Sequence, residues 1–236
     1  MKVRLMVPPT ARTGAEVLDL LSEPPVSAAQ VPERLQHLLR LTRGAYEREL
    51  GCTVSENWCP PSAAIVLVAA GVGEPDASRC AAFACGMEMV WQAVIQHRSA
   101  GLGRAPVESI LSSDFVLSRA LSIFILDGDA EVIRTVVDGA MALAQSVLAA
   151  DAQEASADVV VDGIARYWGA CCRVGAIAGG LPPWHAAKLE DVGRRAGSAL
   201  RGGLASIRWE FAQTDRESEL VRVLAGIAGA VHLAVV

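Results

Sequence analysis

Apolar residues recur at spacings of three and four along almost the whole of this 236-residue chain. That rhythm places them on one side of a 3.6-residue helix. Strand-like alternation never lasts more than a few residues. The pattern therefore constrains the chain to an all-α fold. It predicts about nine helices, over 15–21, 31–50, 62–73, 79–97, 106–126, 129–150, 154–179, 184–213 and 216–234. "SAAIVLVAAGVG" (62–73) is apolar all round, so it is a buried helix, with a buried strand as the alternative. Pro32 suits the first turn of the helix over 31–50. Asp76 or Ser78 is placed to cap the helix that follows "GEPDAS". "GGLPP" (179–183) is the clearest stop, since Gly closes one helix and Pro forbids its continuation. No repeat, low-complexity run or linker divides the chain, so one domain is expected.

Composition narrows the interior. Hydrophobic residues make up 52% and aromatics 5%, so a large core must pack from aliphatic and small side chains, which let helices approach closely. The net charge of −5 is spread without a basic stripe, which speaks against nucleic acid as a partner. The start, "MKVRLMVPPTAR", has two prolines where a signal peptide needs an apolar run. The longest apolar tracts, 63–73 and 223–236, fall short of a spanning helix, so a cytoplasmic protein that does not span the membrane is expected.

Common catalytic signatures are missing. "GVG" and "GLG" follow no convincing strand and complete no phosphate-cradling fingerprint. The four histidines, 37, 97, 185 and 232, form no zinc-like spacing, and no G-x-S-x-G elbow occurs. Six cysteines lack a C-x-x-C pair. Cys80 and Cys85 sit about 140° apart on a helix, so they read as small buried hydrophobes in a reducing compartment.

What stands out is "GMEMVWQAVIQHRSAG" (86–101), an apolar helical run with polar residues gathered at its exit, His97, Arg98 and Ser99. An all-α cup with its widest cavity between helices could hold a long apolar chain. A diphosphate at its mouth would call for paired carboxylates to hold magnesium. No D-D-x-x-D is present.

The order of segments is nevertheless similar to the trans-type polyprenyl diphosphate synthases. "CGMEMVWQAVIQH", "SSDFVLSRAL", "MALAQSVL", "ARYWGACCRVGAIAGG" and "VGRRAGSAL" follow one another as that family's elements do, over about residues 58–211. Residues 1–57 would then be N-terminal helices and 212–236 a C-terminal helix, within one isoprenoid-synthase-like bundle around a central cavity. Glu88, His97, Asp114 and Gln145 match family positions, while Trp91 replaces a histidine. "NWCPP" stands for the early G-K-x-x-R-P element without its cations, and Gly163 falls near the family's lysine.

The two aspartate motifs are lost. The first falls on Arg98, Ser99, Ala100, Gly101 and Leu102, the second on Leu204, Ala205, Ser206, Ile207 and Arg208. Magnesium held by two facing carboxylate clusters neutralises the departing diphosphate in the family. Arg98 and Arg208 would repel that metal. The resemblance thus implies no catalytic residue, no cofactor and no Mg²⁺ site in this chain. It implies a non-catalytic subunit that tunes the activity and product length of a catalytically complete synthase, which would bind the Mg²⁺. Heterodimers or heterotetramers follow from that reading, with a homodimer for the chain in isolation. Helices 106–126 and 129–150 would make the contact, and "LSIFIL" (121–126) should be buried there or in the core.

Two alternatives stand beside it. One is a stand-alone isoprenoid- or lipid-binding protein, its cavity lined by Phe83, Met87, Glu88, Trp91, Ala93, Val94, Asp114 and Gln145. Phe83 and Met87 would form the floor below Ala93 and Val94, or these four are ordinary core residues. The other is an active prenyltransferase with an unusual diphosphate site, its metal on Glu88, Asp114 or Glu210. Glu88 is roughly 13 Å below the mouth, too deep to share one diphosphate.

Overall fold

The computed structural model describes residues 31–101, 106–151, 157–200 and 214–235. The fold is all-α, as the apolar spacing predicts. After a 3₁₀ turn, Glu33–Leu35, come α1 (Gln36–Leu50), α2 (Pro61–Ala70), α3 (Ala77–Gly101) and α4 (Pro106–Asp127). They are followed by α5 (Ala130–Asp151), α6 (Ala157–Ala178), α7 (Pro183–Ser198) and α8 (Asp215–Val235). The helix expected over 15–21 lies outside the described residues, as does the second half of that over 184–213. α3 continues four residues past His97, where the sequence reading ended it.

Local chemistry sets the boundaries. The Asp76 carboxylate accepts from the Arg79 amide at 2.7 Å and caps α3, which decides between the two candidates. Asp129 caps α5 through the amides of Glu131 and Val132. Thr214 and Glu217 form a reciprocal capping box at α8, each side chain accepting from the other's amide. At the "GGLPP" stop, Gly180 adopts φ 71°, and the Leu181 amide reaches back to the Ala176 carbonyl at 3.0 Å.

The centre is built from α2, α3 and α6. Every residue of α2 from Ser62 to Ala70 is buried, as expected of a helix with no polar face. Two glycines bring α6 against it. A Cβ on Gly175 would lie 2.3 Å from the Val66 carbonyl oxygen, and one on Gly179 would lie 2.4 Å from that of Ala70. Four residues apart, they form one small stripe on one face of α6. α6 also runs between α5 and α7, α4 lies along α3, and α1 packs on α3.

α4 and α5 behave differently. They touch each other only slightly, and both carry large apolar side chains outward. Val107, Leu111, Phe115, Ile125, Met141 and Leu148 are all more than half exposed. Within "LSIFIL" only Phe124 is fully buried, while Leu126 is 86% exposed. The expectation for this patch is thus met in the core by Phe124 alone. By length and composition these two helices could also cross a bilayer, a feature the search for uninterrupted apolar tracts missed because scattered charges break them up.

Candidate functional site

The sequence directs attention to the end of α3. Here the structure brings together three residues from two helices. His97 Nδ1 is 3.0 Å from the Ser113 hydroxyl and 4.0 Å from Asp114 Oδ1, both on α4. Arg98, the next residue, is buried. Ser99, Ala100 and Gly101 complete the last turn of α3. Leu102 and the whole second segment, Leu204 to Arg208, lie outside the described residues, as does Glu210. The α3–α4 rim therefore offers an imidazole, a hydroxyl and one carboxylate. Among the described residues no three metal-ligating side chains converge. A guanidinium next to a lone carboxylate does not fit a magnesium–diphosphate cluster, which needs several oxygen donors.

Further down α3 the interior is closed by side chains. Phe83, Met87, Glu88, Trp91 and Ala93 are buried, and Val94 is half-buried against the core. Phe83 packs on Phe124 with ring centroids 5.4 Å apart, and Trp91 on Tyr167 at 5.7 Å. The Tyr167 hydroxyl donates to the Met87 carbonyl. Asp114 and Gln145 do not join this group. Both are exposed, Asp114 on the rim and Gln145 on the outer side of α5. Their assignment to a cavity wall is corrected accordingly. Spacing within a segment shows only which residues share a face, and packing chooses which face turns inward.

Glu88 is the most unusual residue of the core. It is 1% exposed, and its Oε2 has no hydrogen-bond partner. Gln92 donates to Oε1 at 2.8 Å. Burial pushes its pKa up to about 8, and hydrogen bonds from Gln92 and Ser62 oppose this only in part. Glu88 thus holds its proton at neutral pH. Burial likewise pushes the thiols of Cys59, Cys80 and Cys85 up to about 12, so they are inert packing groups.

No family model matches the chain, and no curated protein matches it. Solved structures do. It superposes on a geranylgeranyl pyrophosphate synthase from Corynebacterium glutamicum with a TM-score of 0.60 at 14% identity, covering 70% of this chain and 58% of that one. A decaprenyl diphosphate synthase from Rhodobacter capsulatus gives 0.59 at 18% identity, covering 77% and 68%. A geranyltranstransferase from Methanosarcina mazei gives 0.59 at 16%, covering 70% of each.

The chain has the fold of the prenyl diphosphate synthases. It spans only about three-fifths of the length of the Corynebacterium protein. On this prenyl-synthase fold the departures acquire physical meaning. Gly163, near the family's lysine, faces α5 so closely that a Cβ would lie 2.3 Å from Ser146 Oγ. Trp58 of "NWCPP" packs at a tilt against Tyr46, with centroids 4.8 Å apart. Trp91, in a histidine's place, fills space beside Tyr167. In each case the residue present serves packing.

Sequence reasoning missed a second polar feature, a surface cleft of about 370 Å³ between α5, α6 and α7. Arg134, Arg166, Arg173 and Arg194 line it, with Asp138 and Glu190. The signal was there. Arg166, Ala170 and Arg173 recur at four and three along an otherwise apolar helix.

Proposed function

We propose that this protein is a non-catalytic subunit that pairs with a catalytically complete trans-prenyl diphosphate synthase and tunes its activity and product chain length. The observation that carries the reading is the outward apolar face of α4 and α5. Val107, Leu111, Phe115, Ile125, Leu126 and Leu148 stand exposed together on two long helices, which is unusual for a monomer in water. A partner subunit would bury them. The α3–α4 rim supports the non-catalytic role for this chain. It has Arg98 and Ser99 where carboxylates would hold magnesium, and the interior below is filled by Trp91, Phe83 and Met87. The partner would supply both D-D-x-x-D motifs and all of the bound Mg²⁺.

The test is reconstitution. The purified chain, mixed one to one with a full synthase from the same cell, should co-elute as one complex and shift the product length distribution. Unaltered turnover and products would overturn the proposal. The chain alone, given magnesium, an allylic diphosphate and isopentenyl diphosphate, should show no condensation, and turnover would favour an active prenyltransferase instead. Native mass spectrometry retaining a prenyl compound on the isolated chain would favour the lipid-binding reading.

A further inference from the structure

The arginine cleft lies on the side of α6 turned away from the core. Arg166 and Gly175 are nine residues apart, half a turn round the helix, and Gly175 is pressed against α2. The cleft shares no residue with the α3–α4 rim. Its floor is set by small residues. A Cβ on Gly139 would lie 2.7 Å from that of Ala170, so α5 and α6 meet closely beneath it. The stem of Arg194 crosses from α7 over Gly169, whose missing side chain leaves room for it.

The arginines divide into two kinds. Arg173 is held by two carboxylates, with Nη1 2.6 Å from Glu190 and Nη2 2.7 Å from Glu131. That bridge ties α5, α6 and α7 together and fixes the base of the cleft. Arg166 has an exposed partner one turn away, Asp162 at 3.3 Å. Arg134 and Arg194, on opposite walls, make no ion pair among the described residues, although Asp138 and Glu190 line the same cleft. Elsewhere Arg34, Arg79, Arg119 and Arg216 each find a carboxylate. A concavity lined by four guanidinium groups, two of them without an ion pair among the described residues, in a chain of net charge −5, is a local reversal of sign. Guanidinium groups match phosphate oxygens in charge and in fork geometry.

We infer that this cleft binds a small molecule carrying linked phosphates, with Arg134 and Arg194 gripping it from opposite walls and Arg166 adding charge at the edge. The inference does not depend on the subunit reading. Two linked phosphates carry more charge and more acceptor oxygens than a single phosphate, and so engage more of these guanidinium groups.

Calorimetric titration with inorganic pyrophosphate, in EDTA so that metal-dependent diphosphate binding is absent, tests it. The wild-type chain should bind pyrophosphate at least tenfold more tightly than inorganic phosphate. The Arg134→Ser/Arg194→Ser double variant should lose at least tenfold in pyrophosphate affinity with its melting temperature kept. Asp138→Asn, which removes a repelling carboxylate, should tighten binding. Should the double variant prove too unstable, Arg134→Lys and Arg194→Lys keep the charge and lose the fork, and each should still weaken binding measurably. Absence of wild-type binding, equal affinity for the two anions, or undiminished binding by the variants would overturn the inference.

Discussion

α2 and α4 are both strongly apolar helices, yet they have opposite fates. All of α2 from Ser62 to Ala70 is buried, while Leu126 and Leu111 on α4 stand in solvent. The difference lies in side-chain size and neighbours. Ala63, Ala64, Ala69 and Ala70 let α6 come close, and Gly175 and Gly179 answer them from the other side. α4 has bulky Phe and Leu on its outer side, and no helix among the described residues covers them. One apolar surface is covered internally, and the other is left exposed. An apolar helix thus forms the core in one place and an exposed face in the other.

Several measurements would break or sharpen that contrast. The largest effect should come from the interior. Trp168→Ala removes one of the largest fully buried side chains and should cost about 3–5 kcal/mol in urea unfolding. A cost under about 1 kcal/mol would mean the interior is loosely packed.

A pH effect should follow. Glu88 has a pKa of about 8 in the folded chain against an ordinary value of 4.5. Between those values the unfolded chain has released this proton and the native chain retains it. Native stability should therefore fall as pH rises from about 4.5 to about 8, by up to roughly 1.4 kcal/mol per pH unit, and level off above. Glu88→Gln keeps the shape without the charge and should flatten that slope. An unchanged slope would show that Glu88 is not its source.

Arg173→Met should cost about 1–3 kcal/mol, because it leaves Glu131 and Glu190 without their shared partner. It should also lower affinity for pyrophosphate by loosening the cleft. Smallest of all is the expected effect of Ile125→Ser with Leu126→Ser on the isolated chain, within about 0.5 kcal/mol per residue by thermal melting. The same pair should abolish co-elution with a synthase partner. Marked destabilisation would show that this end of α4 belongs to the core after all.

Much of the fold was legible in the residues. Spacing at three and four predicts eight helices that the structure contains, and Asp76 and "GGLPP" mark ends correctly. The Thr214–Glu217 capping box was readable in "TDRE" and was passed over. The α3–α4 rim was legible in part, since His97 and Asp114 do meet there. Gln145 was not, because whether a polar residue on an amphipathic helix turns in or out depends on the neighbour it packs against. Arg194 shows the same limit. An i,i+4 pairing with Glu190 was available, but Arg173 takes that carboxylate from another helix, while Arg195 does pair with Asp191 at 2.8 Å.

By itself the sequence determined the helical period, the helix ends and the absence of carboxylates from residues 98–102, because each depends on residues within a few turns of one another. Only the tertiary structure decided that Glu88 is sealed from water, that α4 is left uncovered, and that arginines from three helices share one cleft. Those outcomes depend on which helices become neighbours. Close approach at a few small residues sets that choice, and their partners lie far away along the chain.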